Sequence, residues 1–150
     1  MCNYRLLLLS LFFSAMPGVE TRLGAPLALV SCGVSGVIAA YIVSTLTGFL
    51  VYLLLERLEN MLREKIPRAY ALYSRFRRRL ARRAGGVTSF LGVIGFVAVP
   101  LPGSGVWSGA ILARLLGLGR LEALAALALG NMITVLIVTA AAALLSTTLP

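Results

Sequence analysis

Histidine is absent from this chain of 150 residues, only two residues are cysteine, and only five are acidic. Without histidine, and with no cysteine pair at ligand spacing, a metal centre of nitrogen and sulfur donors is not expected. Cys2 stands at the N-terminus and Cys32 in an apolar run, a placement that does not suggest a disulfide. Cys32 reads instead as a small hydrophobe. No nucleophile–base constellation and no phosphate-binding glycine loop is present, so an enzyme is not expected and no cofactor is implied. Charge is scarce: 13% of residues carry one, against about 25% in soluble domains. What remains is apolar, 59% hydrophobic with a mean hydropathy of +0.95. The expected class is an all-α integral membrane protein, one membrane domain over residues 1–150.

The charge that is present is bunched. Residues 56–83 hold ten basic side chains (Arg57, Arg63, Lys65, Arg68, Arg75, Arg77, Arg78, Arg79, Arg82 and Arg83) against three acidic ones (Glu56, Glu59, Glu64), a net +7 of the chain's +9. Flanked by apolar runs, such a cluster reads as a topology signal that stays in the cytoplasm, and nucleic acid is not the expected partner. Glu59–Arg63 and Glu64–Arg68 have the i,i+4 spacing that supports a helix, and Pro67 interrupts it. Beyond the proline, Tyr70, Tyr73, Phe76 and Leu80 form a stripe with arginines around it. That helix either lies in the membrane interface, with Arg75–Arg83 against anionic headgroups, or is solvated.

Run lengths separate spans from half-spans. A crossing helix needs about 20 apolar residues, and the runs 6–16, 87–99 and 106–118 have 11, 13 and 13. Each flanks a helix-breaking stretch: Pro17-Gly18-Val19-Glu20-Thr21-Arg22-Leu23-Gly24-Ala25-Pro26 in one half and Pro100-Leu101-Pro102-Gly103-Ser104-Gly105-Val106-Trp107-Ser108-Gly109-Ala110 in the other. Displaced by 85 residues, Pro17-Gly18 falls on Pro102-Gly103 and Gly24-Ala25 on Gly109-Ala110. In the long run 27–55 a turn at Gly33-Val34-Ser35-Gly36 leaves 27–32 as a short returning arm and 37–55 as a span. Gly117-Leu118-Gly119 then precedes a span over 123–145, with Glu122 in its first turn, where a carboxylate favours the helix dipole. The expectation is two inverted repeats, each a re-entrant helical hairpin plus one transmembrane helix: repeat one 5–55, basic cytoplasmic linker 56–86, repeat two 87–145. Residues 1–16 have a competing reading as a secretory signal peptide. With two spans per chain, a homodimer is expected on grounds of size.

Paired interrupted segments point to a transport site. Glu20 and Arg22 are the charges placed deepest, where each costs about 2.5–3.5 kcal/mol on insertion scales. Either they form an ion pair that holds the loop, or Glu20 binds a proton or cation while Arg22 attracts an anionic group. In the second loop, Gly103 and Ser104 leave amides and a hydroxyl free, Pro100 and Pro102 remove donors, and Trp107 is an interface anchor or a cavity wall. Pro17 and Pro26 bound the first loop. Gly36, Ala40, Ser44 and Gly48, and likewise Ala126, Gly130 and Thr134, make small-residue ladders for close helix packing. Asn131 fits an interhelical hydrogen bond better than a place on the pathway.

These segments resemble a known family. The first keeps the Glu, Arg and final Pro of a Pro…Glu-Leu-Arg-Gly-Ala-Ile-Pro pattern, with Leu23 in place of the glycine and Gly24-Ala25 shifted by one; the second resembles an Ala-Ile-Pro-Leu-Pro-Gly-Thr-Gly-Ala-Trp-Thr-Gly motif, and Gly130-Asn131 a Gly-Asn pair. The chain resembles the small multidrug export proteins, a prokaryotic membrane family, and is distantly similar to DedA-type proteins with paired re-entrant hairpins. The resemblance implies a multi-pass protein of the prokaryotic cell membrane that moves small molecules or lipid. Together with the residues, it leads to an ion-coupled exporter, with an anionic-lipid flippase or scramblase and a non-transporting scaffold as the alternatives. Both termini are expected outside. Cysteine labelling with an impermeant reagent checks this: labels near residues 4 and 145 should react from the same face, and opposite faces would overturn the topology.

Overall fold

In the computed structural model, which describes residues 2–101 and 103–148 with the side chains of 69, 83, 84 and 146–148 left out, six helices follow one another. They are α1 (Tyr4–Ala15), α2 (Glu20–Lys65), α3 (Pro67–Ala84), α4 (Gly86–Ala98), α5 (Val106–Leu116) and α6 (Arg120–Thr148). Two of them are long and apolar enough to cross a membrane, and α3 with α4, bent by 94°, would add a third.

α2 is one helix only in outline. Cys32 and Gly33 leave helical geometry, with Gly33 at φ 63°, so a 20–31 arm turns into a 34–65 section. The turn therefore falls one residue ahead of the expected glycine pair, and Gly36 lies inside the helix. Pro26 also lies inside helix rather than closing a loop. The non-helical stretch after α1 is short, 16–19, because helical geometry resumes at Glu20. In the second half, the stretch between α4 and α5 covers 99–105, and Pro102 lies outside the described residues.

α1 runs antiparallel to the 20–31 arm. Ser14 lies beside Gly24, and Asn3 N–H donates to Ser31 O at 2.9 Å. At the open end of this pair, Cys2 and Cys32 form a disulfide, Cα to Cα 4.5 Å. This corrects the expectation that the two cysteines are unrelated. They are 30 residues apart in sequence, and only the antiparallel return of the hairpin brings them together. α1 is thus packed against the 20–31 arm and cross-linked to it.

The 34–65 section runs antiparallel to α6. Tyr41 Oη donates to Ala128 O at 3.2 Å, Tyr52 Oη to Leu118 O at 2.6 Å, and Arg120 pairs with Glu56 at 2.9 Å. At 1.5 Å per residue, Glu59 is roughly 40 Å along the helix from Cys32. The disulfide and the arginine-rich α3 therefore occupy opposite ends. α5 ends at Gly117, φ 79°, whose N–H returns to α5 carbonyls, a left-handed stop that glycine adopts without strain. Helix breaks at 32–33 and 117–119, and helix starts at 20 and 106, keep the 85-residue displacement to within one or two residues.

Burial on α2 has a period of four on both faces. Gly36, Ala40, Ser44, Gly48 and Tyr52 are buried, while Val34, Ile38, Ile42, Leu46, Leu50, Leu54 and Leu58 are exposed. Small residues face the protein and large apolar ones face outward, the arrangement suited to a lipid solvent. Both ladders work inside the chain: a Cβ on Gly48 would stand 2.7 Å from Val106 Cβ, and one on Gly130 2.7 Å from Val97 Cβ. The core joins Tyr52, Val93, Val97, Val106, Ala110 and Leu127. Gly48→Ala should cost about 1–3 kcal/mol through overpacking, whereas Leu50→Ala on the outward stripe should change little. Thermal unfolding in detergent compares the two, and equal melting temperatures would contradict this packing.

Candidate functional site

Three consecutive residues at the start of α2 reach three different elements. Glu20 is buried and sits at φ 47°, a left-handed conformation that costs an L-residue roughly 1–2 kcal/mol. It is held there by the N-terminus of α5. Val106 N–H donates to Glu20 Oε2 at 2.7 Å, and Trp107 N–H to Oε1 at 3.2 Å. These are the first two amides of α5, whose own N-cap, Gly105, offers no side chain. A helix leaves its first amides unpaired and carries partial positive charge at that end. Glu20 supplies the cap from the other half of the chain. Hydrogen bonds to a charged group are worth about 1.5–3 kcal/mol each, so two of them match the cost of burying one carboxylate among apolar helices.

Thr21 points elsewhere. Its hydroxyl donates to Asn131 Oδ1 at 2.8 Å, and Asn131 Nδ2 donates to Thr45 Oγ1 at 2.9 Å and Tyr41 O at 3.4 Å. Asn131 is 1% exposed and joins the arm, the long section of α2 and α6, the interhelical role expected of it. Thr21 and Thr45 were not foreseen as part of this junction. Their only signal in the sequence is a hydroxyl inside an apolar run.

Arg22 does not pair with Glu20. Among the described residues no ion pair joins them, which corrects the structural ion pair considered from the sequence. Arg22 Nη2 instead donates to Ser104 Oγ at 2.9 Å and approaches Val99 O at 3.4 Å. Ser104 Oγ lies 2.6 Å from Val99 O and accepts from the arginine. Val99 is the C-cap of α4, where helix carbonyls carry partial negative charge. Acid and base are thus divided between two facing helix ends of matching sign. Four buried polar atoms have no hydrogen-bond partner among the described residues: Arg22 Nε, Arg22 Nη1, Trp107 Nε1 and Ser44 Oγ.

The remaining residues singled out from the sequence shape the loops. Pro17, Pro100 and Gly103 are exposed, and Gly103 has φ 90°. Trp107 packs against the core through its ring, and Pro26 sits in the first arm. A second polar cluster lies at the other end of the molecule. Glu59, expected to pair with Arg63, instead takes Arg114 Nε at 2.8 Å, Arg114 Nη2, Arg77 Nη1 at 3.2 Å and the Tyr73 hydroxyl. Arg114 Nη1 also donates to Tyr52 Oη at 3.2 Å. Burial, reinforced by the Glu59 carboxylate, pushes the Tyr73 hydroxyl up to about 12, so it remains a donor. Among the described residues Glu64 and Arg68 form no ion pair either, because the helix breaks at Ile66 between them.

A family model spans residues 20–137, and so covers the Glu20–Arg22 segment, the second loop and Asn131. The chain belongs to the family described as Putative small multi-drug export protein. That family is one of exporters by description, not an enzyme class, and with the apolar helices it puts the chain in a membrane. No curated protein and no solved structure matches the chain. The match to the family begins at Glu20, the residue on which the contact between hairpins rests.

That contact leaves no room for a side chain at Gly105, where a Cβ would stand 1.7 Å from Glu20 Oε2. Gly105 has φ −85°, which any residue adopts, so alanine there acts only by displacing the carboxylate. Gly105→Ala should lower stability by about 3 kcal/mol through loss of the charge-assisted bonds. Thermal unfolding measures it. A melting temperature equal to that of the parent would remove this contact from the account.

Proposed function

We propose that this protein is a small ion-coupled exporter in which two re-entrant hairpins, α1 with the 20–31 arm and α4 with α5, enter the bilayer from opposite faces as inverted repeats. Their tips meet near the midplane. The observation that carries this reading is the Glu20 carboxylate seated on the Val106 and Trp107 amides of the other hairpin. A deprotonated Glu20 latches the tips together. A proton on it removes the charge and one acceptor oxygen, so the α5 N-terminus loses its cap and the hairpins separate. Rocking of the two halves about such a junction alternates access. Arg22 contributes its unpartnered N–H groups to the part of the substrate that accepts hydrogen bonds.

The basic linker then faces the cytoplasm and both termini face outward. Two independent features support that orientation. Arginines 75, 78, 79 and 82 are exposed on α3, where they meet anionic headgroups. The Cys2–Cys32 disulfide lies at the other end, and disulfides persist on the oxidising side.

A second reading, movement of an anionic lipid or lipid carrier, is favoured by one observation: Arg22 Nε and Nη1 are buried without acceptors, and a phosphate would satisfy them.

Reconstituted proteoliposomes separate the readings. Dye and drug flux driven by a proton gradient should fall at least about tenfold, some 1.4 kcal/mol, in Glu20→Gln, which resembles the protonated carboxyl in charge and shape and cannot release a proton. Undiminished gradient-driven flux in that variant would take coupling away from Glu20. Labelled-lipid movement that needs no gradient and is abolished by Arg22→Gln would establish the second reading. No flux of any kind would leave a scaffold.

A further inference from the structure

At the arginine-rich end, α3 and the C-terminus of α5 border a cavity of about 270 Å³. Tyr70, Ser74, Arg77 and Arg78 of α3 stand on one side of it, Leu116 and Gly117 on the other. Positions 70, 74 and 77 recur at helical spacing, so one face of α3 supplies the wall. No carboxylate lines this cavity, and α3 contains none.

Its two charged groups are both guanidiniums. Arg77 Nη1 is spent on Glu59 at 3.2 Å. The opposite edge of the same guanidinium faces the cavity: a Cβ on Gly117 would stand 3.7 Å from Arg77 Nη2 and 3.8 Å from Nε. Among the described residues neither nitrogen has a hydrogen-bond acceptor. That Nε–Nη2 edge is a fork able to take two oxygens of one oxyanion side by side. Arg78 forms no ion pair among the described residues, and its neighbours one turn away, Ser74, Arg75, Ala81 and Arg82, offer it no acid. The Tyr70 hydroxyl, also without a partner among the described residues, adds a neutral donor. The Ser74 hydroxyl is taken by Ala71 O at 3.0 Å.

The acids of adjoining helices are committed elsewhere: Glu59 to Arg114 and Arg77, Glu56 to Arg120, and Glu122 to the Gly119 amide at 2.9 Å. At the negative end of α5, the Gly117 amide already meets the carbonyls of Ala113 and Arg114. Two cations with no acid in the lining, one free fork and one free hydroxyl suit an oxyanion with several acceptor oxygens. The height agrees. Gly117 and Gly119 lie just before α6, which is long and apolar enough to cross a membrane, so the cavity sits where a span leaves the apolar layer and headgroups begin.

We propose that this cavity binds a single phosphate group, from an anionic lipid of the adjoining leaflet or from solution, with two oxygens on the Nε–Nη2 edge of Arg77 and Arg78 as the second cation. The proposal rests on the reading that α3 lies among anionic headgroups and turns a diffuse attraction into one saturable place; it is independent of Glu20 and of transport. The intact protein in neutral detergent is titrated with phosphatidylglycerol, or with phosphatidylcholine, whose ammonium offsets its phosphate, and bound lipids are counted by native mass spectrometry. The first phosphatidylglycerol should bind about tenfold tighter than the second, and than phosphatidylcholine. Arg78→Gln, which breaks no ion pair, should remove that advantage, whereas Arg82→Gln, an equal loss of charge outside the cavity, should keep it. Arg77→Lys keeps the charge but loses the fork, and should weaken the first lipid severalfold. Inorganic phosphate is tested alone against chloride at equal ionic strength. A rise in melting temperature with phosphate that Arg78→Gln abolishes, without a favoured first lipid, assigns the site to free phosphate; a favoured first lipid assigns it to the headgroup. Equal weakening by Arg78→Gln and Arg82→Gln overturns the site and leaves only diffuse attraction. No preference for phosphatidylglycerol and no effect of phosphate overturns both the site and the headgroup reading of α3.

Discussion

The carboxylate of Glu20 on the first amides of α5 is the contact on which the rest of this structure depends. It meets two needs with one geometry. A buried acid needs donors, and a helix start with glycine at its N-cap needs an acceptor. Because the acceptor comes from the other half of the chain, satisfying the helix end also brings the two hairpins together. Arg22 follows from the same logic. Two residues on from an acid that faces a positive helix end, it faces the negative end of α4 through Ser104 and Val99. A direct Glu20–Arg22 pair would draw the carboxylate away from the first amides of α5.

The contact requires close approach, and the small-residue stripe of α2 supplies it. Gly48 lies against Val106, the residue whose amide binds Glu20. Gly130 and Thr134 of α6 hold α4, through contact with Val97 and a hydroxyl bond to its carbonyl at 2.7 Å. Asn131, one residue after Gly130, fastens Thr21. The tip junction is therefore the place where packing and polar satisfaction coincide. At the other end, the Glu59 cluster ties α2, α3 and α5 together, and the exposed arginines of α3 give that end its charge.

Much of this was legible from run lengths and breakers. Apolar runs of half-span length and Pro-Gly stretches repeated at a fixed displacement gave the helices and the places where they break, but helix resumes at Glu20 inside the expected first loop and α2 continues to Lys65 through the start of the expected linker. The misses share a cause. Pro26 lies inside a helix because a proline is tolerated where its neighbours pack around it, which local propensity does not report. Glu59 abandons Arg63 for Arg114 because a partner on another helix, partly buried, outweighs one on the same exposed face. Cys2 and Cys32 meet because the hairpin folds back on itself.

The sequence by itself determined the class, the order of helices and breaks, the two ladders of small residues and the short roster of polar groups in an apolar chain, since each of these is a matter of composition or spacing along one dimension. Only the tertiary structure decided the partners. Glu20, Thr21 and Arg22 are consecutive, yet they bind α5, α6 and the loop after α4. Which donor meets which acceptor depends on the start of α2 arriving at the start of α5, the loop after α4 and the middle of α6, and that is fixed by packing among residues some 80 to 110 positions apart, beyond the reach of any local pattern.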